Sequence, residues 1–196
     1  MEKLPCFKAY DVRGKVPSEL NNELAYNIGR GMKRLLGCKT VVIGRDVRTS
    51  SEELSEALSK GLTDSGIDVI DIGLCGTEMI YFATPFFDAD GGIMITASHN
   101  PPEYNGMKFV KKDSVPISYD SGLNQMESII LKNDFLPLSE KKGSVTLKNI
   151  EDDFIKHLTG FYDKDKIKPI KVVVNEIMIV LIIVSLTCTS FIVSNR

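Results

Sequence analysis

Stretches with helical periodicity alternate along this chain with short β-branched stretches. Apolar residues recur every three or four positions from Leu20 to Leu35, and Gly37 then supplies a stop signal before the strand-like segment Thr40–Ile43. The same alternation continues downstream. It predicts an α/β fold in which helices cover a sheet.

The downstream elements follow from the same signals. Ser50 and Glu53 have the spacing of a capping box and predict a second helix, which ends near Gly66. The other predicted elements are strands at 68–72, 92–96 and 107–111 and helices at 78–87 and 121–131. A polar stretch at 133–148 predicts a linker, with a domain boundary near residue 145.

Composition restricts the classes of function. The 196 residues are 43% hydrophobic and 26% charged, which suits one globular domain, or one domain and the start of another. Lys and Arg number 24 against 26 Asp and Glu, so the chain lacks the cationic excess of a nucleic-acid-binding protein. Four scattered cysteines without a C-x-x-C pair predict reduced thiols. Since no apolar leader follows Met1, a cytoplasmic location is expected.

The densest cluster of small and polar residues is T-A-S-H-N-P-P at 96–102, followed by Y-N-G-M-K at 104–108. It comes directly after a predicted strand, where ligands usually bind in α/β folds. Small neighbours leave the hydroxyl of Ser98 accessible beside His99, and two prolines stiffen the loop. The same residues also suit an ordinary Ser/Asn/Pro turn, and spacing alone does not separate the two interpretations.

Two other polar turns have competing interpretations. Arg13 precedes a glycine, and its guanidinium has the geometry to bind a phosphate. An ion pair between Arg13 and Asp11 is the simpler interpretation, and we favour it. The turn at 44–48, G-R-D-V-R, also follows a predicted strand. For this turn we favour a structural role, in which its charged side chains stabilise the loop.

Structural roles are also expected at three further places. His157 should be a partly buried helix residue, since no second histidine lies at metal-ligand spacing. Asp88 and Asp90 should belong to a helix-to-strand turn. The residues expected in the core on one helix face are Met79, Phe82, Phe86 and Phe87.

Two motifs together point to a family. T-A-S-H-N-P followed by Y-N-G-x-K resembles the phosphoserine loop of the α-D-phosphohexomutases, and C-F-K-A-Y-D-V-R-G at 6–14 resembles the opening segment of their phosphomannomutase and phosphoglucomutase branch. The resemblance runs from about Leu4 to Asn175. It implies a first domain at 1–145 with a mixed sheet sandwiched between helices, and the start of a second, similar domain at 146–175. The apolar tail at 176–196 does not match the family.

The resemblance also implies a reaction. Family members interconvert mannose 6-phosphate and mannose 1-phosphate, or the glucose phosphates, through a phosphoserine and a bisphosphate intermediate, with Mg²⁺ as cofactor and hexose phosphates as the partners. By this resemblance, the catalytic residues are Ser98, Lys108 and His99, the substrate or phosphate contacts are Tyr10, Arg13 and Asn100, and Mg²⁺ binds the phosphate carried by Ser98.

Departures from the family leave alternatives open. A complete member is longer and carries a D-x-D-x-D-R metal loop, a G-E-x-S-x-H sugar loop and an R-x-S-x-T-E-P phosphate loop, none of which occurs here. We therefore expect this chain, by itself, to be an inactive fragment. The alternatives are an inert polypeptide, or a binding module tethered to a membrane by Ile177–Val193, a segment of 17 uncharged residues that is at the short limit for a span and is not favoured.

Overall fold

The computed structural model describes residues 3–163 and Lys166. The chain divides into two compact units, Met1–Lys148 and Asn149–Arg196. The apolar segment Ile177–Val193 and Cys188 lie outside the described residues. The domain boundaries at 145 and 175 and the separate character of 176–196 stay predictions.

A six-stranded mixed sheet forms the centre of the first unit. In chain order its strands are β1 (Val12–Lys15), β2 (Thr40–Arg45), β3 (Asp68–Leu74), β4 (Gly91–Ile95), β5 (Tyr104–Lys111) and β6 (Val145–Leu147). They lie side by side in the order β1-β5-β4-β2-β3-β6. β5 runs antiparallel to β1 and β4, whereas the other neighbouring pairs are parallel.

Helices cover both faces of this sheet, as expected. The first unit contains α1 (Asn22–Leu36), α2 (Ser51–Asp64), α3 (Thr77–Phe86) and α4 (Asn124–Leu131), and the second contains α5 (Glu151–Thr159). Buried side chains such as Ile28, Leu58 and Ile93 join α1 and α2 to one face. α3 packs on the opposite face, where Ile80 lies against Gly44. The predicted α/β class with a mixed sheet between helices is confirmed.

Two glycines allow α1 and α2 to approach each other closely. A methyl group on Gly29 would overlap the carbonyl oxygen of Leu58, and one on Gly61 would overlap the carbonyl oxygen of Tyr26. Each helix therefore receives the backbone of the other at a position where a side chain would separate them.

The N-terminal segment is fastened to α4 by a buried carboxylate. Glu127 is 4% exposed, and its side chain accepts hydrogen bonds from the backbone N–H of Leu4 and from the hydroxyl of Tyr119, both at 2.7 Å. The backbone N–H of Tyr119 in turn donates to the carbonyl of Ala9 at 2.8 Å. These bonds fix the chain that leads into β1.

The capping box predicted for α2 is wrong. The helix begins at Ser51, and Ser50 makes no capping bond with its side chain. Instead, the Ser50 hydroxyl accepts a hydrogen bond of 2.9 Å from the amide of Asn105, which lies 55 positions along the chain. The Ser50 hydroxyl oxygen, which the local pattern assigns to the N-terminus of α2, is therefore bound by Asn105 instead.

The polar stretch at 133–148 is attached along the first unit. It contains β6, which pairs with β3, and the backbone N–H groups of Ser139 and Gly143 donate to carbonyls at the end of α2, both at 2.9 Å. Asp64, buried at the end of α2, holds the stretch by its side chain. Its carboxylate pairs with Lys142 and Lys60, both at 2.7 Å.

Two structural expectations are wrong in whole or in part. His157 is exposed instead of partly buried, because α5 buries only Phe154 among its residues. The His157 ring lies edge-to-face with the exposed Phe161, 4.9 Å between centroids. Met79 is buried as expected, but Phe86 is 48% exposed and stacks on the half-buried Phe82. These rings lie on the outer side of α3 rather than in the core.

The turn predicted around Asp88 and Asp90 is confirmed. The Asp90 carboxylate accepts hydrogen bonds from the backbone N–H groups of Lys39 at 2.7 Å and Thr40 at 3.1 Å. Asp88 pairs with Lys112 at 2.9 Å. Both carboxylates therefore stabilise the connection into β4.

The three cysteines in the described part of the chain are free and buried. Burial raises the pKa of Cys6 to about 11 and the pKa values of Cys38 and Cys75 to about 12, so these thiols stay protonated at neutral pH. Within the described residues, no helix combines the length and the apolar character that crossing a membrane requires.

We expect D64N to reduce stability in a pH-dependent way. Hydrogen bonds from Lys142 and then Lys60 lower the pKa of Asp64 to about 2, below its ordinary value of 3.8. The carboxylate therefore stabilises the fold at neutral pH by about 1 to 2 kcal/mol, allowing for the exposed lysines, and loses this contribution as the pH falls from about 4 towards 2.

Urea unfolding at pH 7 and at low pH measures the difference. The gap in unfolding free energy between wild type and D64N should close as the pH falls, whereas E53Q, which changes an exposed carboxylate on the same helix, should show little gap at any pH. A gap for D64N that is constant with pH would contradict this role.

Candidate active site

The loop that carries Ser98 connects two central strands. β4 ends at Ile95 and β5 begins at Tyr104, so residues 96–103 reverse the chain at the carboxyl end of β4. β1 lies on the far side of β5, with Arg13 directly opposite Gly106. The sheet order thus brings the loop and the first strand together at one edge.

Ser98 occupies an unusual backbone conformation within this loop. Its φ angle is 56°, in the left-handed region that residues other than glycine rarely adopt. Its N–H donates to the Thr96 hydroxyl at 2.9 Å, and the next turn is closed by the Asn100 N–H on the carbonyl of Ala97 at 3.1 Å. Strain of this kind costs about 1 to 3 kcal/mol and is often found at functional sites.

Arg13 is brought directly to the loop. Its Nη1 donates to the side-chain oxygen of Asn100 at 2.8 Å, while its Nη2 pairs with the carboxylate of Asp11. The arginine side chain is 20% exposed. The ion pair that the sequence suggested is therefore present, and it fixes a guanidinium beside the Ser98 loop.

Three other predicted site residues have free side-chain ends. Lys108 lies two residues beyond Gly106 on β5, so by strand alternation it shares a sheet face with Arg13. His99 is exposed in the loop, and Tyr10 is 81% exposed just before β1. In the described part of the chain, none of these three side chains forms a hydrogen bond or an ion pair.

The turn at 44–48 reaches the same loop, which the sequence did not reveal. Arg48 Nη2 donates to the carbonyls of Ser98 at 2.9 Å and Asn100 at 2.7 Å. Its Nη1 donates to the carbonyls of Pro101 at 2.8 Å and Tyr104 at 3.0 Å. The structural role expected for this turn is present, and the backbone that Arg48 holds is that of the Ser98 loop. The available signal was that the turn follows a strand, since the carboxyl ends of parallel strands meet at one edge.

A buried polar network supports Arg48. The carboxylate of Asp46, which is 2% exposed, lies 3.3 Å from Arg48 Nε and accepts a hydrogen bond of 2.6 Å from the Ser51 hydroxyl. The amide of Asn105, which is fully buried, donates to Ser51 at 2.9 Å. Asn105 belongs to the Y-N-G motif, so the two ends of the network lie in two motifs that are distant in sequence.

Gly106 is required at the edge of the site. A methyl group there would overlap the carbonyl oxygen of Val12 and would come within 2.9 Å of the carbonyl oxygen of Thr96. β1 and the start of the loop therefore close around a position without a side chain. This contact explains the glycine that follows Asn105.

The described residues do not form a complete magnesium site. They contain no group of three or more His, Cys, Asp or Glu side chains that could hold a metal ion. Asp11, the carboxylate in the Arg13 pair, is already engaged by that guanidinium. Mg²⁺ prefers several oxygen ligands in octahedral geometry, which this part of the chain does not supply.

Comparisons with known proteins match this sequence and fold. The family described as phosphoglucomutase/phosphomannomutase, alpha/beta/alpha domain I, matches residues 5–137. The chain belongs to this family. Members of the family are generally metal-dependent. The resemblance seen in the phosphoserine loop and the opening segment is confirmed.

Individual relatives cover most of the chain. It is 50% identical over 176 residues to the phosphomannomutase of Escherichia coli K12 and 50% identical over 180 residues to that of Vibrio cholerae, covering 89% of this chain. A crystal structure of a phosphoglucomutase/phosphomannomutase family protein from Burkholderia thailandensis has a TM-score of 0.71 and 33% identity, over 82% of this chain and 36% of that one. The chain spans 39% of the length of each of these two curated relatives.

The backbone strain at Ser98 can be measured with two variants that both lack the hydroxyl. We expect S98G to be about 1 kcal/mol more stable than S98A, because glycine adopts a positive φ without the steric cost that alanine retains. Chemical unfolding of the two purified variants provides the comparison. Equal stabilities would contradict a strained Ser98.

Proposed function

We propose that this chain is the phosphoserine-bearing domain of a phosphomannomutase, which interconverts mannose 6-phosphate and mannose 1-phosphate. The observation that carries the proposal is Ser98, held in a left-handed conformation at the carboxyl end of β4 beside the guanidinium of Arg13. Relatives named phosphomannomutase share half of its residues, which favours mannose over glucose as the sugar.

The proposed reaction has two transfers. In the first, a hydroxyl oxygen of the hexose monophosphate attacks the phosphorus on Ser98. The bond between phosphorus and the serine oxygen breaks, and a hexose bisphosphate forms. The bisphosphate then turns around, and the serine oxygen takes the phosphoryl group from the other end. Each transfer conserves the phosphoryl group, so the net result is an exchange between C1 and C6.

Positive charge and fixed positions are what this transfer requires from the protein. Arg13 is held by Asp11 and Asn100, so its charge lies beside the loop with little freedom to move. We assign to Lys108 the movement of the proton that the sugar hydroxyl loses and that the serine oxygen regains, since its amine has no competing partner in the described structure.

The remaining predicted residues receive binding roles in this proposal. His99 is assigned to the phosphate on its neighbour Ser98, and Asn100 to the same phosphate region through its contact with Arg13. Tyr10 is assigned to the substrate cleft, because its exposed ring lies on the segment leading to Arg13. The proposed metal of the whole protein is Mg²⁺, and the phosphate on Ser98 would be the ligand supplied by this chain. The cytoplasm is the proposed compartment, in line with the three buried free thiols.

The first test identifies the phosphate acceptor. Incubation of the purified chain with mannose 1,6-bisphosphate over hours should place phosphate on Ser98, slowly because groups of the complete protein are missing. Peptide mass spectrometry detects the phosphate, and S98A should remove the signal. S59A, which changes a serine on α2, should retain it. Phosphate on Ser50 or Ser51 but never on Ser98 would contradict the assignment.

The second test concerns turnover. By itself, this chain should convert mannose 6-phosphate at least about 10³-fold more slowly than the Escherichia coli K12 relative, because positioning and charge stabilisation in phosphoryl transfer are lost together when several groups are missing. A coupled assay for mannose 1-phosphate, with Mg²⁺ and a bisphosphate activator, makes the comparison. Rates within tenfold of each other, roughly 1.4 kcal/mol in barrier, would show that the described residues suffice.

A further inference from the structure

Arg48 is the group that gathers the backbone of the Ser98 loop. The side chain is 13% exposed, and its two terminal nitrogens donate to four carbonyl oxygens at 2.7 to 3.0 Å. These carbonyls belong to residues spread over 98–104, which includes most of the loop. An irregular, half-buried loop needs partners for its backbone oxygens, and here one side chain supplies four of them.

The shape of the guanidinium matters for this contact. Arginine presents five N–H groups in a rigid plane, so two neighbouring nitrogens can each serve two acceptors at fixed angles. A lysine would retain the positive charge, but its single ammonium nitrogen cannot span the same set of carbonyls. The two residues therefore separate the effect of charge from the effect of geometry.

The guanidinium is itself held in place. The Asp46 carboxylate lies against Nε, and it also accepts a hydrogen bond of 3.1 Å from the backbone N–H of Arg48. The backbone N–H of Asp46 donates to the carbonyl of Ile95 at 3.0 Å, which ties this turn to the end of β4. Arg48 thus links the loop to the rigid sheet rather than to another mobile segment.

We propose that Arg48 is a positioning residue for Ser98, which fixes the direction of the serine hydroxyl for phosphoryl transfer. Arg48 holds the Ser98 carbonyl, and Thr96 holds the Ser98 N–H, so both peptide groups around the strained residue are fixed. The side chain of Arg48 is occupied by the loop backbone and acts on the reaction through Ser98. This inference rests on the proposed function, because it assigns a consequence for phosphate transfer.

The test compares R48K with R45K in the purified full chain. Arg45 is on β2, close to Arg48 in sequence, but its side chain pairs with Glu52 at 3.3 Å and has no contact with the loop. Hydrogen exchange, followed by mass spectrometry, reports on the amides of Ser98, Asn100 and Tyr104, which all donate within the loop. We expect R48K to speed their exchange about tenfold or more while R45K leaves it unchanged.

A second measurement follows phosphate on Ser98 as a function of mannose 1,6-bisphosphate concentration. R48K should lower the maximal rate about 10- to 100-fold, as a displacement of about 1 Å can do, with little change in the half-saturating concentration. A partly unfolded variant would instead lower the final amount of phosphoserine. Circular dichroism spectra of R48K and wild type provide the check on folding.

The outcomes distinguish this proposal from the proposed function. Unchanged loop exchange in R48K would overturn the positioning role, whether or not the chain accepts phosphate. Faster exchange with a wild-type phosphorylation rate would overturn it as well. Faster exchange in R48K, together with no phosphate on Ser98 even in the wild-type chain, would support the contact between Arg48 and the loop and would count against the proposed function instead.

Discussion

Four backbone carbonyl oxygens converge on one guanidinium at the carboxyl end of β4. The loop between β4 and β5 reverses the direction of the chain in the middle of the sheet, where no regular ladder can satisfy its backbone. The hydrogen bonds from Arg48 satisfy the carbonyl groups that a regular ladder would otherwise satisfy. Arg48 and Thr96 hold the peptide groups on either side of Ser98, and a strained residue persists only where its surroundings determine it.

The site combines three segments that are far apart in the sequence. The segment before and within β1 supplies Arg13, the turn after β2 supplies Arg48, and the loop after β4 supplies Ser98. The strand order places the three at one edge, since β5 lies between β1 and β4, and β4 is next to β2. The placement of Ser98 beside a fixed positive charge therefore follows from topology, and the residues need not be neighbours in the chain.

Local patterns were sufficient for most of the elements, although not for β1 and β6, and they were not sufficient for the contacts between elements. The three- and four-residue spacing of apolar residues predicted α1, and Gly37 caps its C-terminal end as expected. Both signals are local, because the periodicity lies within the helix and a glycine in the left-handed conformation ends it. The capping box at Ser50 failed because Asn105 competes for the same oxygen. The contacts of Arg48 were not predicted from the sequence either, because the strand order of the sheet decides which loop lies beside Arg48.

The candidate site was predicted through its motifs, and this prediction depends more on the resemblance than on physical arguments from the residues. Spacing left Ser98 undecided between an ordinary turn and a presented hydroxyl. The positive φ of Ser98 and its fixed peptide groups favour the second reading. The polar stretch at 133–148 shows the opposite limitation. Its composition is that of a linker, yet it contributes a short edge strand, which needs little apolar sequence, and a lysine that pairs with the buried Asp64 of α2.

The bond between the Leu4 N–H and the Glu127 carboxylate joins positions 123 residues apart. During synthesis at about 5 to 20 residues per second, the N-terminal segment leaves the ribosome roughly 6 to 25 s before its anchor does. This N-terminal segment includes Arg13 and Cys6, and Cys6 is buried in the folded protein. The nascent chain therefore exposes part of the candidate site, and a thiol that later becomes inaccessible, for the whole of that interval.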